Sequence, residues 1–225
     1  MIRENINKKQ FLQIIKSLNG DYVYNDNGRM IKFDIKYLNE MKQFKNVFSA
    51  FGDINPEQIE WLSNIQVRHS HLPQGVMYFD RVPVGVIYPY YFSGYNNLFH
   101  LTEEDSELLL DNLRSSIENN LELIDNGVVN YDFAAKNVLY SGKHVELIDL
   151  NGRHIKRGLF GDYSPAYSYF IPDIYKILTI KLIKLYGSEE TKRILSEIKK
   201  MTGYGVDRET PNIILDNVEK MRVLK

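Results

Sequence analysis

The sequence predicts an α+β protein in which strands dominate the first part of the chain and helices the second. Two pairs of β-prone runs lie in the first part, and each pair surrounds a turn. The first pair flanks residues 25–28, which end in an Asn-Gly typical of tight hairpins. The second pair occupies residues 75–79 and 84–88. Beyond Asn97, apolar residues recur mainly at helical spacing, which predicts a helix-rich second part.

Two helices are predicted within the first part. Residues 6–18 carry apolar side chains at helical spacing, which indicates a short amphipathic helix. A second helix should begin at Asn55-Pro56, because Asn is a good cap, Pro suits the first helical position and Gln58 completes a capping box.

The second part is predicted to alternate one hairpin with several helices. A helix carrying Leu109 to Ile124 should stop at Asn126-Gly127. Runs at 138–140 and 145–148 predict a small hairpin, and residues 152–172 look irregular. Further helices are expected at 173–186, 189–200 and 211–221.

The amino-acid composition excludes several kinds of functional site and partner. A chain of 225 residues that is 44% hydrophobic and 25% charged is ordinary for a soluble protein. The absence of cysteine excludes disulfides, thiolate metal sites and cysteine nucleophiles. A net charge of −1 does not favour nucleic acid, and no window reaches the roughly 18 apolar residues of a membrane span. We therefore expect a cytoplasmic protein, or one delivered to a host cytoplasm, without a nucleic-acid partner; the oligomeric state is not indicated.

Three polar residues around the predicted hairpin 138–148 carry the most informative pattern. Four residues separate Asp132 from Asn137, and Asp149 follows Asn137 by twelve positions. The short hairpin should fold Asn137 and Asp149 back beside each other. Phosphoryl transfer needs a carboxylate that orients a hydroxyl and oxygen ligands for Mg²⁺, and these three side chains supply both.

This pattern resembles the catalytic loop of protein kinases, and the run Asp-Phe-Ala-Ala-Lys-Asn-Val-Leu is especially similar to the tyrosine-kinase version. The resemblance implies a two-lobed fold with a β-rich, nucleotide-facing N-lobe over residues 1–91. The helical C-lobe would cover 92–225 and contain the catalytic loop 130–137. In that family Asp132 would orient the substrate hydroxyl or accept its proton, and Lys136 would contact the γ-phosphate. Asn137 and Asp149 would hold the Mg²⁺ that accompanies ATP.

A second stretch with the same family likeness begins at Asp173. The run from Asp173 to Ile183 is similar to the central kinase helix that starts Asp-Val-Trp-Ser-Leu-Gly. In kinases the Asp of that helix accepts backbone hydrogen bonds from the catalytic loop. By this likeness, Asp173 would anchor the loop and take no part in the chemistry.

The nucleotide-binding lysine is assigned by similarity as well. Residues 30–33 (Met-Ile-Lys-Phe) are similar to the kinase strand Val-Ala-Ile-Lys, which makes Lys32 the candidate for binding the α- and β-phosphates. Lys36 and Lys45 are competing candidates. Glu60 on the helix that starts at Asn55 would be the partner of Lys32, with Glu57 as the alternative.

Several motifs depart from the kinase pattern. Of the glycine-rich loop, only the stretch 20–24 (Gly-Asp-Tyr-Val-Tyr) is similar, and Asn130-Tyr131 replaces the usual His-Arg. Asn151 stands in place of the glycine of Asp-Phe-Gly. As a minimal and atypical member, the chain resembles bacterial kinase-like proteins and aminoglycoside phosphotransferases. The predicted function is ATP- and Mg²⁺-dependent transfer of a phosphate to a hydroxyl of a protein or small molecule. The alternative is a pseudokinase that serves as a nucleotide- or protein-binding module.

One further pair of residues invites a metal interpretation. His69 and His71 stand two positions apart, as metal ligands sometimes do. No third ligand is evident nearby in the sequence, so a loop or strand role is preferred for both.

Overall fold

The computed structural model describes residues 1–18, 23–33, 54–90, 94–100, 106–150, 155–158, 164–203 and 205–221. These residues combine helices with small sheets, which confirms the predicted mixed α and β class. The chain divides into two compact units. The first comprises Met1–Gln66, His71–Ser93 and Leu150–Arg153, and the second comprises Val67–Ser70, Gly94–Asp149 and His154–Lys225. The kinase-like arrangement of two lobes stays a prediction.

A five-stranded sheet forms the framework of the first unit. Its strands, with the two helices of this unit, are β1 (Ile2–Ile6), α1 (Lys8–Ser17), β2 (Val23–Asp26), β3 (Arg29–Phe33), α2 (Pro56–Leu62), β4 (Gly75–Phe79) and β5 (Val82–Tyr88). The strand order is β1-β4-β5-β3-β2. β1 pairs with β4 in parallel, whereas the other neighbours are antiparallel.

Turn chemistry explains both hairpins of this sheet. Asn27 and Gly28 adopt φ values of 51° and 92°, the left-handed conformation that a two-residue hairpin turn requires. Both predicted hairpins are confirmed. The second turn is tighter than expected, because Asp80 and Arg81 alone form it and β5 begins at Val82.

Side-chain caps start both helices of the first unit. Asn7 and Gln10 form a reciprocal capping box at the start of α1. At α2, the Asn55 side-chain oxygen accepts hydrogen bonds from the backbone of Glu57 and Gln58, as predicted. The predicted helix at 6–18 and the predicted start at Asn55 are both confirmed.

The sheet of the first unit has an apolar core on each face. On one face α1 contributes Phe11 to a cluster of buried side chains that share the same surface: Phe11, Ile14, Ile31, Phe33, Met77, Val84 and Ile87. On the other face α2 contributes Ile59 to a second cluster: Ile59, Val76, Val86 and Tyr88. The alternation of side chains along the strands therefore separates the two helices onto opposite faces.

The second unit is mainly helical and has two small sheets. Its elements are β6 (Asn96–Asn97), α3 (Ser106–Asp125), β7 (Val128–Asn130), β8 (Val138–Ser141), β9 (His144–Leu147), β10 (Ile155–Arg157), α4 (Ser164–Thr202) and α5 (Thr210–Lys220). β6, β8 and β9 form one sheet, and β7 pairs with β10 in the other. α3 ends at Asp125, and Gly127, with a φ of 78°, supplies the predicted helix stop two residues later. α4 is broken at Gly187, where φ is 74° and ψ is 174°.

The interpretation of residues 152–172 as irregular is wrong in part. β10 occupies three of these positions, and α4 begins at Ser164, nine residues before the predicted start at Asp173. Pro172 lies inside this helix, although proline cannot donate a helical hydrogen bond. The helix nevertheless continues through it, since Ala166 and Phe170 are buried on the same stripe as Ile174.

Some predictions fall on residues outside those described above. They include the competing lysines, Lys36 and Lys45, and most of the stretch compared with a glycine-rich loop, Gly20 to Tyr22. Among the described residues, no helix is both long enough and apolar enough to cross a membrane.

Candidate functional site

The hairpin of β8 and β9 brings Asn137 and the segment leading to Asp149 together. Asn137 immediately precedes β8, and Asp149 lies two residues beyond the end of β9. Val138 is in register with Leu147. The Ile148 N–H then extends the ladder by donating to the Asn137 carbonyl at 2.9 Å. The backbone therefore places Asn137 beside the residue that precedes Asp149.

The Asn137 side chain also closes the loop that begins at Asp132. Its amide nitrogen Nδ2 donates to the Asp132 carbonyl and to the Asp132 carboxylate oxygen Oδ2, each at 3.0 Å. This orientation of the amide is chemically consistent, since its oxygen would repel the two Asp132 oxygens. With Nδ2 so occupied, the Asn137 oxygen Oδ1 is the atom that can bind a cation.

Two further asparagines hold the start of this loop. The Asn130 side-chain oxygen accepts a hydrogen bond from the Asp132 backbone N–H at 3.0 Å. Asn130 Nδ2 in turn donates to Asn120 Oδ1 on α3 at 3.3 Å, and both side chains are buried. Buried amides that bond to each other fix their geometry, because breaking the pair would leave desolvated polar atoms. Asp132 is therefore positioned from α3 as well as from Asn137.

Asp173 of α4 supports the same loop. Its carboxylate accepts a hydrogen bond from the backbone of Phe133, the residue next to Asp132, which is the contact that the family likeness predicted. Burial raises the pKa of Asp173, and the nearby Asp132 charge adds to that rise. Lys176, whose Nζ lies 2.6 Å from Asp173 Oδ1, and the Phe133 N–H oppose the rise without cancelling it.

Asp149 adopts a backbone conformation that most residues avoid. Its φ is 61°, in the left-handed region, where Asp and Asn are among the few side chains found regularly. Such conformations occur at functional sites, where the surrounding structure imposes them. The hydrogen bond from the Ile148 N–H to the Asn137 carbonyl holds the backbone immediately before Asp149.

Lys136 lies on the exposed side of the loop. Its ammonium nitrogen is 3.5 Å from Asp132 Oδ2, and about two thirds of its side chain is exposed. A pair this open to water contributes at most about 1 kcal/mol to stability. Lys136 is therefore free to turn toward another anion near Asp132 at little energetic cost.

These contacts join Asp132, Lys136 and Asn137 into one constellation of the second unit, and the β8–β9 ladder brings the residue before Asp149 beside Asn137. Asp132 is a partly exposed carboxylate that can accept a proton from a hydroxyl. Asn137 Oδ1 and the Asp149 carboxylate are hard oxygen ligands, which suit Mg²⁺ better than a transition metal. Lys136 adds a mobile positive charge.

Lys32 and Glu60 belong to the first unit. Lys32 lies in β3 directly opposite Val86, so it shares the sheet face on which α2 packs. Glu60 is exposed on α2 and forms an ion pair of 3.6 Å with Arg3. The assignment of Lys32 to the phosphates, and of Glu60 as its partner, stays a prediction.

Sequence reasoning missed one group of residues in the second unit. His69 lies with His144 and Glu146, and one ligand atom from each falls within 4.8 Å of the others. His71 belongs instead to the first unit, where it stacks on Tyr88, and burial lowers its pKa to about 4. The two-residue spacing of His69 and His71 therefore does not mark a pair of neighbouring ligands. The sequence signal for this group is His144-Val-Glu146, because alternate residues of a strand share one face.

No family model matches the chain, and no curated protein matches it either.

Proposed function

We propose that this protein is an ATP- and Mg²⁺-dependent phosphotransferase that moves the γ-phosphate of ATP to a hydroxyl of a protein or small molecule. The observation that carries the proposal is the pair of hydrogen bonds from Asn137 Nδ2 to Asp132 O and Oδ2. These bonds fix the separation of a proton-accepting carboxylate and an amide oxygen. The hydrogen bond from the Ile148 N–H to the Asn137 carbonyl brings the residue before Asp149 beside Asn137, which supports Asp149 as a second oxygen ligand.

Asp132 is the proposed base or orienting group. Its carboxylate is one-third exposed, so a hydroxyl can reach it. The hydrogen bonds from Asn137 and from the Asp132 backbone to Asn130 hold the carboxylate in one place before a substrate arrives. Preorganisation of this kind lowers the barrier because no reorientation is needed during the reaction.

Asn137 and Asp149 are the proposed metal ligands. Their oxygens fit Mg²⁺, which would neutralise charge on the phosphates when the nucleotide is bound. Lys136 would contribute a further positive charge near the transferred group. Lys32, with Glu60 as its proposed partner, would bind the α- and β-phosphates, as the likeness of its strand to the kinase lysine strand implies.

ATP turnover tests this proposal. Wild-type protein is incubated with Mg²⁺ and ATP, alone and with alcohol-bearing acceptors such as peptides and aminoglycosides, and ADP release is measured. Asp132→Asn keeps the size of the side chain but cannot accept the proton, so we expect turnover to fall at least about 100-fold. The matched control is Asp111→Asn on α3, an exposed aspartate that forms an ion pair with Lys143; it should retain wild-type turnover.

Three outcomes would count against parts of this proposal. Equal turnover in the Asp132→Asn and Asp111→Asn variants would remove the proposed role of Asp132. Tight Mg²⁺-ATP binding without transfer to any acceptor would favour the pseudokinase, for which the departures from the glycine-rich loop pattern are the supporting observation. Absence of ATP binding at millimolar concentration would contradict the phosphotransferase and leave only a protein-binding module.

A further inference from the structure

A second polar cluster in the second unit contains none of the proposed phosphotransfer residues. It consists of His69, His144 and Glu146. His144 Nε2 lies 3.0 Å from Glu146 Oε1, and His69 Nδ1 lies 3.4 Å from the same oxygen. Ligand atoms that surround Zn²⁺ tetrahedrally at about 2.0–2.2 Å lie about 3.3–3.6 Å from one another. These two separations are therefore close to those of a bound metal, and all ligand atoms of the cluster lie within 4.8 Å of one another.

The backbone brings these three side chains together from two segments. His144 and Glu146 are alternate residues of β9 and so share one face of that strand. The Leu147 N–H donates to the His69 carbonyl at 3.0 Å, and Ser70 forms a parallel bridge to Leu147. These bonds fix the segment Val67–Ser70 against the strand.

Asn119 of α3 forms hydrogen bonds to both of these segments. Its Nδ2 donates to the Val145 carbonyl at 3.1 Å and to the His69 carbonyl at 3.4 Å. Asn119 is buried, so these bonds are shielded from water. Hydrogen bonds to the backbone of both segments therefore hold in place the residues that carry the three side chains.

One carboxylate oxygen of the cluster has no hydrogen-bond partner among the described residues. The Glu146 side chain is only 4% exposed, and both histidines contact its Oε1. Its other oxygen, Oε2, is buried and has no hydrogen-bond partner among the residues that the structure describes. Desolvating a carboxylate costs several kcal/mol unless it is compensated, and a cation beside it supplies that compensation.

The two histidines provide access to this buried carboxylate. Their side chains are 46% and 43% exposed, so an ion can reach the cluster from solvent. Two imidazole nitrogens and one carboxylate form a ligand set that suits Zn²⁺ and related transition metals, with water in the remaining position.

We propose that His69, His144 and Glu146 bind a divalent transition-metal ion, for which Zn²⁺ is the probe. The ion would fasten the Val67–Ser70 segment to β9, because it takes one ligand from the first and two from the second. This site is separate from the proposed Mg²⁺ ligands, Asn137 and Asp149, and differs from them in containing nitrogen donors.

Calorimetric titration of Zn²⁺ tests the site. The protein carries no histidine tag and is first treated with chelator. We expect one Zn²⁺ per chain in the wild type. His144→Ala and Glu146→Gln should each weaken Zn²⁺ binding at least about tenfold. Removing a residue that only hydrogen-bonds to a metal ligand already has an effect of this size. The matched control is His100→Ala, which removes an exposed histidine elsewhere in the second unit; it should bind Zn²⁺ as the wild type does.

Thermal unfolding supplies a second readout and a check on folding. Zn²⁺ should raise the unfolding temperature of the wild type and of His100→Ala but not that of His144→Ala, since a ligand stabilises only the state that binds it. Should Glu146→Gln fail to fold, the exposed His144 variant decides the matter. Mg²⁺ should not compete, because it prefers oxygen ligands. Wild-type protein that binds no Zn²⁺, or equal affinity in His144→Ala and His100→Ala, would overturn the proposal.

Discussion

At the scale of single residues, Asp173 shows how one buried carboxylate can position another. It accepts a hydrogen bond from the Phe133 backbone, and Phe133 adjoins Asp132. The ion pair with Lys176 does not remove the energetic disadvantage of its buried charge, so the pKa of Asp173 is raised. The same carboxylate therefore orders the loop and makes stability depend on pH.

The sign of this dependence follows from the raised pKa. The folded state binds the Asp173 proton more tightly than the unfolded state, so this residue makes the fold less stable as pH rises from about 3.8 through the folded pKa. In Asp173→Asn the titration is absent. The free energy of unfolding of this variant, relative to wild type, should therefore increase with pH across that window and then stay constant.

Urea unfolding followed by circular dichroism at a series of pH values measures this difference. Asp173→Ala is the companion variant, because it also lacks the charge but cannot accept the Phe133 hydrogen bond. It should be less stable than Asp173→Asn by about 1–2 kcal/mol. A relative stability of Asp173→Asn that decreases with rising pH would contradict the raised pKa.

At the scale of elements, the docking of β1 depends on a glycine in the neighbouring strand. A Cβ atom built on Gly75 would lie 2.4 Å from the Ile2 carbonyl oxygen and 2.6 Å from the Ile2 Cβ. Ile2 and Gly75 are partners in the parallel β1–β4 register, so the close approach belongs to the pairing itself. Backbone atoms cannot move aside as the end of a flexible side chain can.

Gly75→Ala should therefore destabilise the first unit by about 1–3 kcal/mol, in the range of overpacked cores. Gly85→Ala in β5 is the matched control, since its nearest neighbour is a side-chain carbon of Ile31 at 3.2 Å, which can yield. Fluorescence of Trp61, the single tryptophan of the chain, reports on this unit during urea unfolding. Equal losses in the two variants would show that the β1 contact does not limit the substitution.

The elements that could be predicted are those whose signals lie within a few residues. The cap at Asn55 and the turn at Asn27-Gly28 depend on local hydrogen bonds and φ angles, and both were predicted correctly. β1 was not predicted, because its short charged sequence becomes a strand only through pairing with β4, far along the chain. The early part of α4 was not predicted; it contains Pro172, which is unfavourable inside a helix unless tertiary packing compensates.

The candidate site was predictable to a similar extent. The spacing of Asp132, Asn137 and Asp149 indicated the constellation, and the likeness to kinases indicated the contact made by Asp173. The sequence did not indicate the hydrogen bond between Asn130 and Asn120, since any polar residue on a helix face could have been exposed. Nor could it bring together His69 and Glu146, which are 77 positions apart.

At the scale of the whole molecule, the proposed functional residues are distributed over both units. Lys32 and Glu60 lie in the first unit, whereas Asp132, Asn137 and Asp149 lie in the second. The second unit alone contains the proposed base and both proposed Mg²⁺ ligands. The central claim is therefore that its hairpin presents Asn137 and Asp149 to a metal-bound nucleotide.

The dependence of ATP affinity on Mg²⁺ tests this claim most directly. Calorimetry compares ATP binding with Mg²⁺ and with chelator for wild type, Asp149→Asn and the control Asp111→Asn. We predict that Mg²⁺ strengthens ATP binding at least about tenfold in the wild type and in the control, because metal ligands on the protein bind the nucleotide through the ion. Asp149→Asn should lose most of this gain. An Mg²⁺ effect of the same size in Asp149→Asn and wild type would contradict the account.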